Sequence, residues 1–220
     1  MWNRIFEQLS QGALVTLEVF VISGILGLFI SLLVGLVRSF APAPIKFILA
    51  TYVEVFRGTS AFVQIYWVYF VLPLFGFQMS AVIAGSVVLA LNVGAYGSEI
   101  IRGAIRAVPR GQLEAATSLH LPRWATALRI VLPQALIRAI GPMTNQLIDL
   151  LKGTSLLSIM AISELTFSAK QLNVTFFDDA ALIFGFTLVL YFAMGAPIAW
   201  LGARAESAMD LRLKGRVVRV

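Results

Sequence analysis

The sequence predicts an all-α chain that crosses a lipid bilayer about five times and sends one helical excursion into water. Three observations predict it. Apolar residues make up 59% of the 220 residues and charged residues 13%, against about 25% charged in an ordinary soluble domain. The mean hydropathy of +0.88 is too high to come from a single core segment. The apolar stretches recur, and each can cross a hydrocarbon layer of about 30 Å, which needs roughly 20 helical residues. A chain of this length holds about five such segments, so residues 1–220 are expected to form one transmembrane unit.

The first span runs from about Ala13 to Val37. Arg4 precedes it, as a basic residue precedes a signal peptide, but the stretch is far longer than the roughly 7–15 residues of a signal core. It is read as a retained span. The second covers about Tyr52–Phe75 and ends at the turn Leu74-Phe-Gly-Phe77. The third is about Ser80–Ile101, the fourth about Ala135–Ile159 and the fifth about Ala180–Ala203. Small residues recur every fourth position at Ser23, Gly27, Ser31 and Gly35, and again at Gly195, Ala199 and Ala203. Such spacing lets helix backbones approach closely in lipid.

Basic residues set the orientation. Arg38 and Lys46 lie in the first connection. Arg102, Arg106, Arg110, Arg123, Arg129 and Arg138 lie in or beside the long third one. Arg204, Arg212, Lys214, Arg216 and Arg219 crowd the tail. The other side holds Arg4 and Lys170 with Asp178 and Asp179. Basic connections stay in the cytoplasm, which puts the N-terminus outside and the C-terminus inside. An odd number of spans requires the termini on opposite sides, so count and orientation agree. The formal net charge of +6 follows from this bias, and no basic stripe interleaved with aromatics points to nucleic acid.

Composition also excludes chemistry. With no cysteine there is no disulfide, thiolate metal site or cysteine nucleophile. One histidine, His120, cannot build a multi-histidine metal centre. The sequence lacks the G-x-x-x-x-G-K-[ST] phosphate loop, so no ATPase activity, catalytic residue or bound cofactor is expected of this chain.

The stretch 102–134 does not belong in lipid. It gathers Arg102, Arg106, Arg110, Glu114, Arg123 and Arg129 in a chain otherwise short of charge. Gly111 precedes Gln112–Leu119, a run mostly of good helix formers. Leu113, Ala116 and Leu119 are expected to share one face. His120, with Pro122 two residues on, closes the helix. A second helix is expected from Pro122 through Trp124 to Val131, stopping before Pro133. Two readings fit this hairpin: a spacer between spans, or a docking element for another protein.

Four blocks in register carry a resemblance. Glu114-Ala-Ala116 with Leu119, Ile130 and Leu132-Pro133-Gln134-Ala135 resembles the EAA loop of ABC-importer permeases. Ala95-Tyr-Gly-Ser-Glu-Ile-Ile-Arg-Gly-Ala-Ile105 is similar to the A-Y-x-x-E-x-x-R-G-x-I segment of their polar amino acid subgroup. Glu54-Val-Phe-Arg-Gly-Thr59 followed by Gln64, and Leu151-Lys-Gly-Thr-Ser-Leu156, match two further segments of that subgroup. The chain departs from the pattern at His120, where glycine is usual, and at Ser60, where proline is usual. Glycine at 120 would serve a left-handed turn, which histidine is among the few other residues to enter.

The resemblance implies a bacterial inner-membrane permease that translocates a polar amino acid or derivative, opines included. It implies a cytoplasmic ATPase dimer that uses ATP and Mg, a second permease subunit, identical or homologous, and a periplasmic solute-binding protein. Gly111, Glu114, Ala115, Ala116, Leu119 and His120 would form the ATPase-coupling element.

Polar residues inside spans are costly and mark a pathway by default. Arg57, Gln64, Asn92, Glu99, Asn145, Gln146, Asp149, Thr154 and Ser155 are the pathway candidates, with Glu54, Thr59 and Lys152 beside them. The three-residue spacings Glu54/Arg57, Glu99/Arg102 and Asp149/Lys152 fit helical ion pairs. Gly141-Pro142 is expected to open the fourth helix just before Asn145. An ion-coupled carrier or channel is the alternative, which would need inverted repeats or rings of like charge. Neither is visible in the sequence.

Overall fold

The computed structural model describes the backbone of residues 2–217 and the side chains of residues 2–209. Arg212, Lys214, Arg216 and Arg219 of the basic tail therefore lie outside the described side chains. The described chain is helical nearly throughout. Its α-helices are α1 (Trp2–Phe40), α2 (Ala43–Gly58), α3 (Ala61–Tyr66), α4 (Ala81–Arg106), α5 (Arg110–Ser118), α6 (Arg123–Thr126), α7 (Leu132–Gly153), α8 (Leu165–Thr175) and α9 (Ala180–Val217). Three helices are long and apolar enough to cross a membrane alone, and five crossings result if two bent pairs each count as one. The expected bundle of about five spans is the observed architecture.

α1 and α4 form the centre. Ser23, Gly27, Ser31 and Gly35, four residues apart, are all buried along one side of α1. A Cβ on Gly27 would stand 2.7 Å from Val93, and one on Gly35 would stand 2.7 Å from Ile101. Both contacts advance by eight residues, so the two helices run parallel with backbones touching. The Ser23 hydroxyl donates to the Ser86 carbonyl at 3.1 Å and the Ser31 hydroxyl to the Val93 carbonyl at 3.1 Å. Val19, Val88, Val93, Leu150, Leu157 and Met160 fill the main apolar core beside this seam.

α7 runs antiparallel to α4, with Ala135 and Ala139 against Ile101 and Ala104. α9 runs antiparallel to α7, but its expected seam is corrected. Gly195 meets Leu151 and Gly202 meets Thr144, while Ala199 and Ala203 are exposed. A seven-residue spacing keeps one side of a helix facing a near-antiparallel neighbour; successive fourfold steps drift off it.

Three further expectations are corrected. The second span is not one helix: α2 and the segment Ala61–Phe75 meet at 105°. The break is at Thr59 and Ser60, both extended in backbone. The helix after Pro122 does not stop before Pro133. α6 passes through a π-helical turn, Ala127–Val131, straight into α7, where Pro133 sits in the first turn. There its missing N–H falls directly after the π-helical turn, where the regular α-helical bonding is already interrupted. Nor does Gly141-Pro142 open α7, which is helical through Pro142. The proline ring lies on an exposed side where no neighbour presses on it. After a 3-10 segment, Thr154–Met160, the chain turns at Ala161 and bends 52° into α8.

Replacing Gly27 by valine forces branched atoms into Val93. The expected loss is about 1–3 kcal/mol, the usual cost of overpacking. It is measured as a lowered unfolding midpoint in detergent, against an unchanged midpoint for Gly103→Ala, where a Cβ meets nothing within 4 Å.

Candidate functional site

α5 forms the first arm of the elbow, and its end is built by a residue with positive φ. His120 has φ 53°. Its N–H donates to the Thr117 carbonyl at 2.9 Å, and the Leu121 N–H donates to the Ala116 carbonyl at 3.0 Å. This pair of bonds is a Schellman cap, which needs a left-handed residue at the position His120 fills. The helix leaves Gly111, Glu114 and Ala115 exposed and buries Ala116. The expected shared face of Leu113, Ala116 and Leu119 is corrected. Ala116 turns inward, whereas Leu119, past the last helical residue, is 73% exposed. Trp124 and Leu128 on the second arm are also exposed.

The elbow is fastened to the base of α7. The Arg138 guanidinium donates to the Ala107 carbonyl, and the Gln134 amide donates to the Gln112 side-chain carbonyl. Val108, Ala116, Ala125 and Val131 are buried beneath the arms. Because α6 and α7 are one continuous helix, the second arm of the elbow is a direct extension of the α7 span.

α7 carries the second element. Arg138, Pro142, Asn145, Asp149 and Lys152 are all exposed. Their spacings of four, three, four and three put them on one side of the helix. This side lies between the flank that packs on α4 and the flank that packs on α9. Asp149 and Lys152 form an ion pair at 3.3 Å with side chains 66% and 69% exposed. A polar stripe thus runs up α7, left uncovered among the described residues. Gln146 is half-buried beside it.

The other candidates fall elsewhere. Glu99 is occupied: Arg38 from α1 and Arg102 both pair with it, all three mostly buried. Arg57 is exposed at the end of α2, its guanidinium 5.4 Å from the Tyr96 ring centroid. The expected Glu54–Arg57 pair is corrected; among the described residues the ion pairs are Arg38–Glu99, Arg102–Glu99 and Lys152–Asp149. Gln64 reaches back across the α2–α3 break. Its amide donates to the Phe56 carbonyl at 3.0 Å and the Thr59 hydroxyl at 2.7 Å. Asn92 is half-buried on α4. Thr154 is buried and donates to the Leu151 carbonyl at 2.7 Å, and Ser155 donates to the Lys152 carbonyl at 2.7 Å. Those two hydroxyls finish the end of α7.

Sequence reasoning missed the outer elbow. Glu164 is fully buried and accepts from the Thr166 and Phe167 N–H groups at 2.8 and 2.7 Å, and from the Tyr191 hydroxyl at 3.2 Å. The Leu165 N–H donates to the Thr16 hydroxyl at 3.1 Å, tying the start of α8 to α1. A lone acid between apolar residues was the available signal. Nearby, a cleft of about 440 Å³ opens between α1 and α8, lined by Arg4, Glu7, Gln11 and Gln171 among others.

The two kinds of ion pair separate on stability. Glu99→Gln leaves two guanidinium groups mostly buried and short of a partner, and the expected loss is about 2–4 kcal/mol. Asp149→Asn touches an exposed pair and is expected to stay within about 0.5 kcal/mol of the parent. Denaturant unfolding in detergent measures both. His120→Val puts a β-branched side chain at positive φ and is expected to cost about 1–3 kcal/mol, while His120→Gly holds the parent midpoint.

With this geometry in hand, the comparisons with known proteins are direct. Residues 12–210 match the family of binding-protein-dependent transport system inner membrane components. The chain is 36% identical over 214 residues to a probable amino-acid ABC transporter permease protein, y4tF, of Sinorhizobium fredii, covering 94% of this chain and 90% of that one. It is 33% identical over 215 residues to the glutamine transport system permease protein GlnP of Escherichia coli, covering 96% and 98%. A crystal structure of an amino acid ABC transporter with histidines superposes with a TM-score of 0.87 and 28% identity, over 94% of this chain and 96% of that one. The exposed elbow, the bent spans and a family match over most of the bundle agree, and the chain belongs to the binding-protein-dependent transport system inner membrane components, as a transport permease subunit.

Proposed function

We propose that this chain is the membrane subunit of an ATP-driven importer for polar amino acids or close derivatives, resident in a bacterial inner membrane. The observation that carries the reading is the uncovered polar stripe of α7. Hydrocarbon cannot solvate Asn145, Asp149 and Lys152. A second permease subunit set against this side encloses them in a wet path, and the stripe becomes its lining. The pair is two copies of this chain or this chain with a homologue. The amino-acid class of cargo is supported by the curated relatives, which are named as amino-acid and glutamine permeases. Membership of a binding-protein-dependent family sets aside the ion-coupled carrier and the channel.

In this reading the elbow docks on a cytoplasmic ATPase dimer, which binds ATP with Mg and hydrolyses it. Glu114 faces basic or amide groups there, Gly111 and Ala115 allow close approach, and exposed Leu119 and Trp124 add apolar contact. Closure of the ATPase dimer draws two elbows together. Each elbow is fastened to its own α7, so the two stripes change their separation. The path then shifts between outward-open and inward-open states because ATP-bound and ATP-free partners contact the elbows differently. At the opposite end, beside the cleft with Arg4 and Glu7, a solute-binding protein delivers cargo.

Glu114→Lys reverses the charge of an exposed side chain and leaves folding intact. It is expected to abolish co-purification of the ATPase, or to cut ATP-driven uptake into proteoliposomes by about tenfold or more, the loss of one charge-assisted contact with repulsion added. Normal assembly with normal transport would remove Glu114 from the docking surface.

A further inference from the structure

Several ionic groups in the spans are put away: Glu99 lies between two arginines, and Glu164 is buried against backbone N–H groups and a tyrosine. Glu18, Glu54 and Arg57 are exposed but form no ion pair among the described residues. Lys152 and Asp149 alone among the described residues form an exposed ion pair, 3.3 Å long and about two-thirds exposed, near the end of α7. An exposed pair three residues apart adds little to the stability of a helix. Lipid would not tolerate it. The pair therefore serves something other than the fold.

Its form says what. One cation and one anion stand a helical turn apart, with Cβ atoms about 5–6 Å from each other. The site is neutral when it closes on itself. An α-amino acid presents the reverse image: an ammonium and a carboxylate on one carbon, also neutral in sum. We propose that Asp149 and Lys152 bind the main-chain zwitterion of the cargo. The cargo ammonium donates to the Asp149 carboxylate, and the cargo carboxylate accepts from the Lys152 ammonium. The four charges close into a ring without net charge, so neither partner brings an uncompensated ion into the path. Asn145, one turn toward the cytoplasm on the same stripe, offers its amide to a polar side chain.

This inference rests on the amino-acid reading given above and narrows it. Selectivity at this step falls on the two main-chain charges, and the cargo side chain is free to vary. A decarboxylated amine would leave a surplus positive charge beside Lys152. An α-hydroxy acid would leave a surplus negative charge beside Asp149. Both are refused.

The test is equilibrium binding of radiolabelled L-glutamine, L-glutamate, L-arginine and L-cystine to the permease–ATPase complex in nanodiscs, without the solute-binding protein. The expected result is binding of at least one of them. Other α-amino acids displace it, and its decarboxylated amine and α-hydroxy acid counterparts do not. Asp149→Asn and Lys152→Gln each weaken binding by about tenfold or more, the usual effect of losing one charge-assisted hydrogen bond. The exchanged double variant Asp149→Lys with Lys152→Asp recovers most of the affinity, because a zwitterion can turn round. Equal displacement by the amine or the hydroxy acid overturns the inference, and so does unchanged affinity in both single variants. Those outcomes leave the amino-acid reading standing. Absence of binding by all four amino acids to the parent complex overturns that reading and this inference together.

Discussion

Hydrocarbon offers no hydrogen bonds, and most irregular features of this chain are answers to that fact. Where α2 breaks from α3, the Gln64 amide takes up the freed carbonyl of Phe56. Where the chain bends into α8, Glu164 and Thr16 take up the freed N–H groups of Thr166, Phe167 and Leu165. Where α1 and α4 touch, serine hydroxyls spend themselves on carbonyls of either helix. Each of these polar groups is placed to satisfy backbone, which is why lipid can surround the bundle. The stripe on α7 is left unanswered among the described residues, and the proposed facing subunit and wet path would answer it.

In the proposed cycle the bundle divides into a frame and a moving part. Between α1 and α4 the glycine backbones lie directly against the branched side chains of Val93 and Ile101, and Arg38, Glu99 and Arg102 tie the ends of the two helices together. That pairing is suited to stay fixed. α7 is fastened at its base to the elbow by Arg138 and Gln134 and is bordered by α9 across Gly195 and Gly202. The π-helical turn Ala127–Val131 lies where the elbow joins the span, and the helix runs on through it into α7.

Much of this was legible in the amino acids. α1, α4 and α9 stand out because their apolar runs are uninterrupted, and the elbow stands out because its charges cannot enter lipid. His120 could be assigned to a left-handed turn from its place between Leu119 and Pro122. The α2–α3 break was hidden because Gly58-Thr59-Ser60 lacks a proline, and the nearby Pro73 marks the last turn instead. α8 was hidden because eleven mixed residues give neither a span nor a charged loop. Pairings within a helix were only partly legible: spacing allowed Glu54–Arg57, but Tyr96 on α4 drew the guanidinium away, and Arg38, 61 residues distant in the chain, joined Glu99. Spacing reports what one helix permits and is silent about neighbours. The stripe itself needed the structure, since exposure of positions 138, 142, 145, 149 and 152 depends on where α4 and α9 lie.

The unbroken run from Arg123 to Gly153 has a thermodynamic side. A rigid rod with a protein contact at one end and a ligand contact at the other cannot pass influence in one direction alone. Whatever factor the lower contact applies to affinity at the upper one must be returned in full. In the proposed importer, a solute resting high on the rod therefore alters how firmly the ATPase grips its foot, so that an idle motor can sense a waiting passenger through the same helix that later releases it.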